Sequence, residues 1–366
     1  MSVKRKKRIL FLCPYPFNVA PSQRLKFEQY YPSFREAGYQ LTHSSFITPS
    51  FWKIIYKRGQ YLSKALFTLL GYCKRCWDLL RIPFYDVVYV HLWVTPFGPP
   101  LFERMVRFLA KRMVYDIDDM IYLREQKSKA NPVISSLKGK GKPIYLFKCA
   151  DAVLTSTDAI QEFASSFNHN VVNIPISIDT EVYRPDLHYS NSSENGKLII
   201  GWTGSLSTSP YLHLLDNVLR ALNKEYDFKL VVMGDPGFSI EGVHVEAIPW
   251  RADYEVSTIA NFDIGLYPLP DDPWVFGKGG GKALQYMSLG VPTVATGIAY
   301  NLRIINNGEN GFLVNTEAEW KQAISKLIRD KTLRERIGKK AIQTVEDHYS
   351  IHANKASYLS LVASAD

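Results

Sequence analysis

Trp274–Thr296 reads WVFGKGGGKALQYMSLGVPTVAT. A Gly/Lys-rich loop runs into a short amphipathic helix, and Gly290-Val291-Pro292 stops that helix before an apolar strand. Gly277, Gly279, Gly280 and Gly281 leave backbone N–H groups unobstructed, and the helix that follows turns its positive dipole end toward them. Lys278 and Lys282 add cations. Such an arrangement suits a diphosphate. The stretch has neither the G-K-[ST] of a Walker loop nor the GxGxxG spacing, so taken alone it says only that a phosphorylated small molecule binds here.

On either side of this segment, short β-type runs alternate with helical patterns, which predicts an α/β fold with parallel sheets. Arg8–Cys13, Tyr39–Ser44, Asp86–His91, Met113–Asp116 and Ala152–Thr155 read as strands, with helices over Arg24–Glu36 and Leu101–Lys111. A second alternation follows. Its strands are Lys197–Trp202, Phe228–Met233, Asp263–Leu266 and Thr293–Ala295; its helices are Tyr211–Leu222, Gly281–Leu289, Glu317–Arg329 and Thr332–Val345. Between the two, Ile176–Lys197 is rich in Ser, Asn, Pro and Asp and reads as a linker. The expected domains are residues 1–185 and 186–346, with a last helix in 347–366 that is expected to cross back to the first domain.

With 366 residues and 46% apolar content, the chain has material for two cores. No apolar run approaches the roughly 18–20 residues that span a bilayer. The basic start leads straight into the short strand RILFLC rather than a signal-peptide core, so a cytoplasmic location is expected. The net charge of +9 is uneven: residues 1–150 hold 26 Lys/Arg against 9 Asp/Glu, and the remainder is acidic. One half is therefore suited to a polyanion: an anionic membrane surface, a phosphorylated acceptor or nucleic acid. Within that half, Phe51–Arg81 interleaves Trp52, Ile54, Ile55, Tyr56, Tyr61, Leu66, Phe67, Leu69, Leu70, Tyr72, Trp77, Leu79 and Leu80 with Lys53, Lys57, Arg58, Lys64, Lys74, Arg75 and Arg81. This mixture suits an interfacial membrane contact; the plainer reading is a helical hairpin packing its apolar face on the first sheet. Cys73 and Cys76 form a lone CxxC with no second pair to complete a zinc site, and read as free thiols on a helix.

The run Lys282-Ala-Leu-Gln285-Tyr-Met-Ser-Leu-Gly290-Val-Pro292-Thr-Val-Ala resembles the donor-binding signature K-x-x-E-Y-M-A-x-G-x-P-V-V-A of retaining glycosyltransferases with the GT-B fold, family 4. The usual acid is Gln285 here, and an acid common eight residues earlier is Gly277. A bacterial branch with W-x-x-G-K-x-x-x-K-x-x-Q-Y-M matches at Trp274, Gly277, Lys278, Lys282 and Gln285. The resemblance implies GT-B architecture, two Rossmann-like doubly wound domains facing a central cleft. It also implies transfer of a sugar from a nucleotide-sugar to a glycan or lipid-linked acceptor, with retention, in bacterial envelope polysaccharide or glycoconjugate synthesis. Such enzymes work without a metal, so no metal and no cofactor beyond the nucleotide-sugar co-substrate are expected; the expected partners include an anionic membrane surface and no nucleic acid.

The same resemblance assigns roles. Lys282 touches the diphosphate, with Lys278 beside it. An arginine usual after the first strand of the second domain is missing, so N–H groups of Gly204 and Ser205, or Arg24 from the loop after the first strand, are expected to assist; that loop leads into a helix with Ser22 as candidate N-cap. Gln285 stands where a carboxylate accepts the ribose hydroxyls, and Trp250 and Arg251 stand where relatives hold the base, the alternative there being a generic loop. His91, at a strand end, is expected to contact the donor sugar. In Asp116-Ile-Asp118-Asp119, Asp118 or Asp119 would orient an acceptor hydroxyl or act as base; the structural alternative is that Asp116 or Asp118 caps the next segment. Rival readings are a sugar-nucleotide 2-epimerase of the same fold, a basic nucleic-acid-binding α/β protein using the first half, and a catalytically silent scaffold.

Overall fold

The computed structural model describes residues 5–124, 141–188 and 197–363. Six strands, β1 (Arg8–Cys13), β2 (Gln40–Ser45), β3 (Val87–His91), β4 (Met113–Asp116), β5 (Ala152–Thr155) and β6 (Val171–Asn173), form a sheet in the order β2-β1-β3-β4-β5-β6. Six more, β7 (Leu198–Thr203), β8 (Phe228–Met233), β9 (Val245–Ile248), β10 (Ile264–Tyr267), β11 (Thr293–Thr296) and β12 (Phe312–Val314), form a second in the order β12-β11-β10-β7-β8-β9. All strand pairings are parallel. Helices cover both faces of such sheets, so their central strands are apolar throughout rather than alternating. Ile9–Cys13 and Val87–His91 are buried at every position. The fold is α/β, with two doubly wound sheets.

The chain divides into one compact unit of residues 1–175 with 354–366, and another of residues 176–353. Residues before 185 already belong to the second unit, because the Ile178 N–H donates to the Tyr349 carbonyl at 2.7 Å. Much of the Ser/Asn-rich linker stretch, 189–196, lies outside the described residues. The last helix, Ile351–Val362, is fastened within the first unit: Tyr358 stacks on Tyr30 at 3.9 Å, and Lys355 pairs with Glu36 at 2.7 Å.

The first core gathers Leu10, Val88, Val90, Tyr115 and Val153 with Leu146, Phe147 and Ile160. The second gathers Ile200, Leu230, Ile264 and Val294 with Leu219, Leu222, Ile324 and Ile337. Tyr286 and Met287 of the quoted segment are core residues, and the Tyr286 hydroxyl accepts the Thr203 N–H at 2.8 Å.

Two helical expectations are corrected. Arg24–Glu36 is not one helix but a short helix Pro21–Arg24, a 3-10 turn Glu28–Tyr30 and a helix Tyr31–Glu36. Pro32 has no N–H to continue a ladder, so the last helix must restart around it. Tyr211–Leu222 divides into a 3-10 segment Ser209–Leu215 and a helix Asp216–Glu225.

The basic aromatic stretch forms helices Pro49–Ile55 and Tyr61–Arg81. The longer one is held to the sheet by a buried guanidinium: Arg75 donates to the carbonyls of Cys13, Ser44 and Val94 at 2.8–3.0 Å and pairs with Asp78 at 2.9 Å. Gly71 packs on the Phe46 ring, where a Cβ would come within 2.6 Å. These contacts fix which face points inward. The opposite face carries Leu62, Leu66, Leu69, Trp77 and Leu80 at helical spacing, each at least 57% exposed. The hairpin reading therefore fails for this face, since its apolar stripe is outside. Leu101, Met105 and Phe108 of the helix Leu101–Leu109 are also exposed. All four cysteines are free thiols, Cys73 and Cys76 exposed.

Candidate functional site

In the second unit, the helix Gly281–Ser288 begins without a side-chain cap. Its first N–H groups have no intrahelical acceptors. Gly280 precedes it at φ +69°, and a Cβ there would come within 2.1 Å of Ile304. Only glycine makes this entry without strain. The Lys278 ammonium lies 4.5 Å from the centre of the Trp274 ring.

Lys282 extends into an aromatic setting. Its Nζ is 4.9 Å from the Trp202 ring centre, 5.5 Å from that of Tyr267, and 3.3 Å from Thr208 Oγ1. Among the described residues no carboxylate pairs with it. Burial pushes its pKa down to about 7, and Lys278 adds repulsion. Cation–π contact offsets part of the lost hydration but supplies no counter-charge. A bound anion would supply it.

Gly204 and Ser205 are corrected as phosphate donors. The Gly204 N–H is engaged by the Met233 carbonyl at 3.0 Å, and the Ser205 N–H by Thr208 Oγ1 at 3.1 Å. The turn closes on itself, and Thr208 is the member that reaches Lys282. Arg251 is exposed and forked onto Asp253 at 2.6 and 3.0 Å. Trp250 donates its indole N–H to Glu255 at 2.9 Å. Gln285 is 5% exposed and donates to Tyr183 and Glu255.

In the first unit, the β3 and β4 ends meet at a buried charge cluster. Asp116 has no exposure; its Oδ1 pairs with the Lys26 ammonium, and its Oδ2 lies 2.9 Å from His91 Nδ1. Burial alone would raise the Asp116 pKa, but Lys26 and His91 outweigh it and hold the carboxyl below the usual range. Among the described residues Asp116 thus clamps two side chains rather than capping the segment that follows. His91 is fully buried; its Nε2 has no hydrogen-bond partner among the described residues and lies 3.9 Å from Asp118 Oδ1, which also lacks one. Burial raises the Asp118 pKa. Asp119 sits beside it, partly exposed. Arg24, partly buried, lies in the last turn of Pro21–Arg24, a helix that begins at Pro21 with Ala20 as an uncapped N-cap. Ser22 is therefore inside the helix and does not cap it. Buried Glu28 fixes the loop after β1, accepting the Asn18 N–H and the Gln23 amide at 2.8 Å each. Among the described residues no group of three or more His, Cys, Asp or Glu is gathered as a metal site.

The structure thus joins Lys282 and Lys278 in one unit, and His91, Asp118 and Asp119 in the other. Sequence reasoning missed Trp202, Thr208, Tyr267, Glu255 and Tyr183 in the former and Lys26 in the latter. None lies in a recognisable motif; Trp202 and Tyr267 come from strands, Thr208, Tyr183 and Lys26 from irregular chain between elements, and Glu255 from the start of the helix Glu255–Ala260.

Comparison with known proteins bears on the fold and on the second unit. The model of the family Glycosyl transferases group 1 matches residues 197–330. The capsular polysaccharide biosynthesis glycosyltransferase CapM of Staphylococcus aureus is 26% identical over 171 residues, which cover 43% of this chain and 43% of CapM. The crystal structure of HepE from Anabaena in complex with UDP and glucose superposes with a TM-score of 0.68 at 16% identity, covering 97% of this chain and 98% of that one. A glycosyltransferase from Rickettsia africae gives 0.68 at 14% identity, covering 98% of each chain. Residues 197–330 thus match the model of the Glycosyl transferases group 1 family, and the chain has the fold of these GT-B structures.

Proposed function

We propose that this protein is a glycosyltransferase that moves a sugar from a nucleotide-sugar to a glycan or lipid-linked acceptor, with retention of configuration. The carrying observation is Lys282, a poorly hydrated amino group that no carboxylate pairs with among the described residues, at an uncapped helix start. The charge that develops on a departing diphosphate is what such a group stabilises. HepE was solved with UDP and glucose, and CapM is named for capsular polysaccharide biosynthesis, which supports this donor and acceptor class. Displacement on one face of the sugar needs no enzymatic nucleophile. His91 and Asp118 would orient hydroxyls, and Lys278 and Lys282 would serve the leaving group in place of a metal. Transfer that stops in chelator would contradict the last point.

A thermal-shift panel of UDP-, GDP- and ADP-sugars tests the donor assignment. A true donor at about 100 times its dissociation constant stabilises by ~2.7 kcal/mol. If no activated sugar shifts the transition, the reading fails.

The reading includes a cytoplasmic protein resting on an anionic membrane surface. No helix among the described residues is long and apolar enough to cross a bilayer. The outward stripe of Tyr61–Arg81 combines apolar side chains with a basic unit, and each cation near an anionic leaflet adds ~1 kcal/mol. Sedimentation with phosphatidylglycerol vesicles is expected, with little on phosphatidylcholine, and Trp77→Ser with Leu69→Ser should release most of the protein. Equal sedimentation of wild type and variant would remove this part of the proposal.

A further inference from the structure

We propose that Glu255 is a positioning residue that turns Gln285 into a one-sided acceptor for a hydroxyl of the donor's ribose. This rests on the nucleotide-sugar reading above. Gln285 lies three residues after Lys282 on the helix Gly281–Ser288, so the two side chains are neighbours on its surface. A ligand whose diphosphate meets Lys282 therefore brings its adjoining ribose within the range of Gln285.

The amide has only one satisfactory orientation. Its Nε2 donates to the Tyr183 hydroxyl at 2.7 Å and to Glu255 Oε1 at 3.1 Å. The Tyr183 hydroxyl donates in turn to Glu255 Oε2 at 3.1 Å, and the Trp250 indole donates to Oε1 at 2.9 Å. Glu255 is 3% exposed, and an ionised carboxylate can only accept. Turning the amide over would set its carbonyl oxygen against that carboxylate, acceptor to acceptor. Both amide hydrogens thus face inward, and Oε1 is left with no partner among the described residues. What Gln285 offers a ligand is a bare carbonyl, which recognises a hydroxyl donor. The acid usual at this position is not lost; a carboxylate one step behind performs the orientation while the amide makes the contact.

The pair is consequently exchangeable only as a pair. Gln285→Glu alone would bring two carboxylates together in a buried pocket. Gln285→Glu with Glu255→Gln returns one acid and one amide, with the roles reversed. Isothermal titration with UDP, GDP and ADP, and with their dideoxyribose counterparts, reads the effect beside thermal unfolding of each variant. Wild type is expected to prefer the ribose form of its nucleotide by up to about tenfold, one to two modest hydrogen bonds. Gln285→Glu should melt lower and lose at least tenfold in affinity, and the double variant should recover both. Glu255→Gln frees the amide to turn and should reduce the ribose preference toward one.

A Gln285→Glu variant that melts and binds as wild type does, or a double variant no better than the single, would overturn the inference. If wild type binds none of the three diphosphates, the functional reading fails. The melting comparison still judges the Glu255–Gln285 pairing in that case.

Discussion

Lys282→Met lowers transfer by about 10²–10³-fold in kcat while the fold persists, the loss expected for one preorganised charge at a developing oxyanion. Methionine keeps an unbranched apolar stem beside the Trp202 and Tyr267 rings and removes the amino group together with its hydrogen bond to Thr208. Because no carboxylate among the described residues holds the ammonium, its deletion leaves no buried anion behind there, so destabilisation is not the cause of lost activity. Lys278→Met should cost less. Lys278 lies against Trp274 rather than within the Trp202–Tyr267 setting, and its removal relieves the repulsion that helps depress Lys282. Steady-state transfer rates beside melting curves check both. Unchanged transfer in Lys282→Met would refute the donor site.

The same lysine gives a pH signature. Its folded-state pKa is lowered to about 7, so from there up to the ordinary lysine range the unfolded chain binds more protons than the folded one. Its contribution to stability therefore rises with pH across that window. A bound diphosphate reverses the preference by favouring the charged form. Donor binding above pH 7 should take up a proton and weaken as pH rises. Titration in buffers of different ionisation enthalpy measures the uptake, which Lys282→Met abolishes.

Most of the fold was legible because parallel strands announce themselves. Arg8–Cys13, Met113–Asp116, Ala152–Thr155 and Phe228–Met233 are the strands read from sequence, residue for residue. Three-residue β6 carries too little pattern to be seen. Pro32 was visible, yet the helical periodicity around it concealed the break. At the site, what a residue type offers was easier to read than whether it is free to offer it. Gly204 and Ser205 have N–H groups in the expected place, but the turn consumes them. Gln285 was read only as an amide standing in a carboxylate's place, because Glu255 joins it only through the fold. Lys26 resembled any other lysine of a basic half; its partner lies ninety positions away on β4.

That partner bears the second large effect. Asp116→Asn keeps the side-chain shape but leaves the Lys26 ammonium, with no exposure, without its counter-charge. Breaking a buried pair from one side costs about 3–5 kcal/mol, whereas replacing both members by uncharged groups is often near neutral. Lys26→Met with Asp116→Asn should accordingly be more stable than Asp116→Asn alone, a coupling that denaturant unfolding of the single and double variants can measure. Because the Asp116 pKa is lowered in the folded protein, its stabilisation is present above the ordinary carboxylate range and is lost as pH falls through the folded value. The stability gap between wild type and Asp116→Asn should therefore narrow in acid. Activity separates a further role. Asp116 holds His91 by Nδ1 and so aims Nε2 toward Asp118. The double variant regains stability but not this grip, since an asparagine amide can face His91 either way. Restored stability with transfer still depressed is the expected pattern. Full recovery of both would make Asp116 a structural clamp alone, and a single variant within about 1 kcal/mol of wild type would mean that the pair is not closed to water.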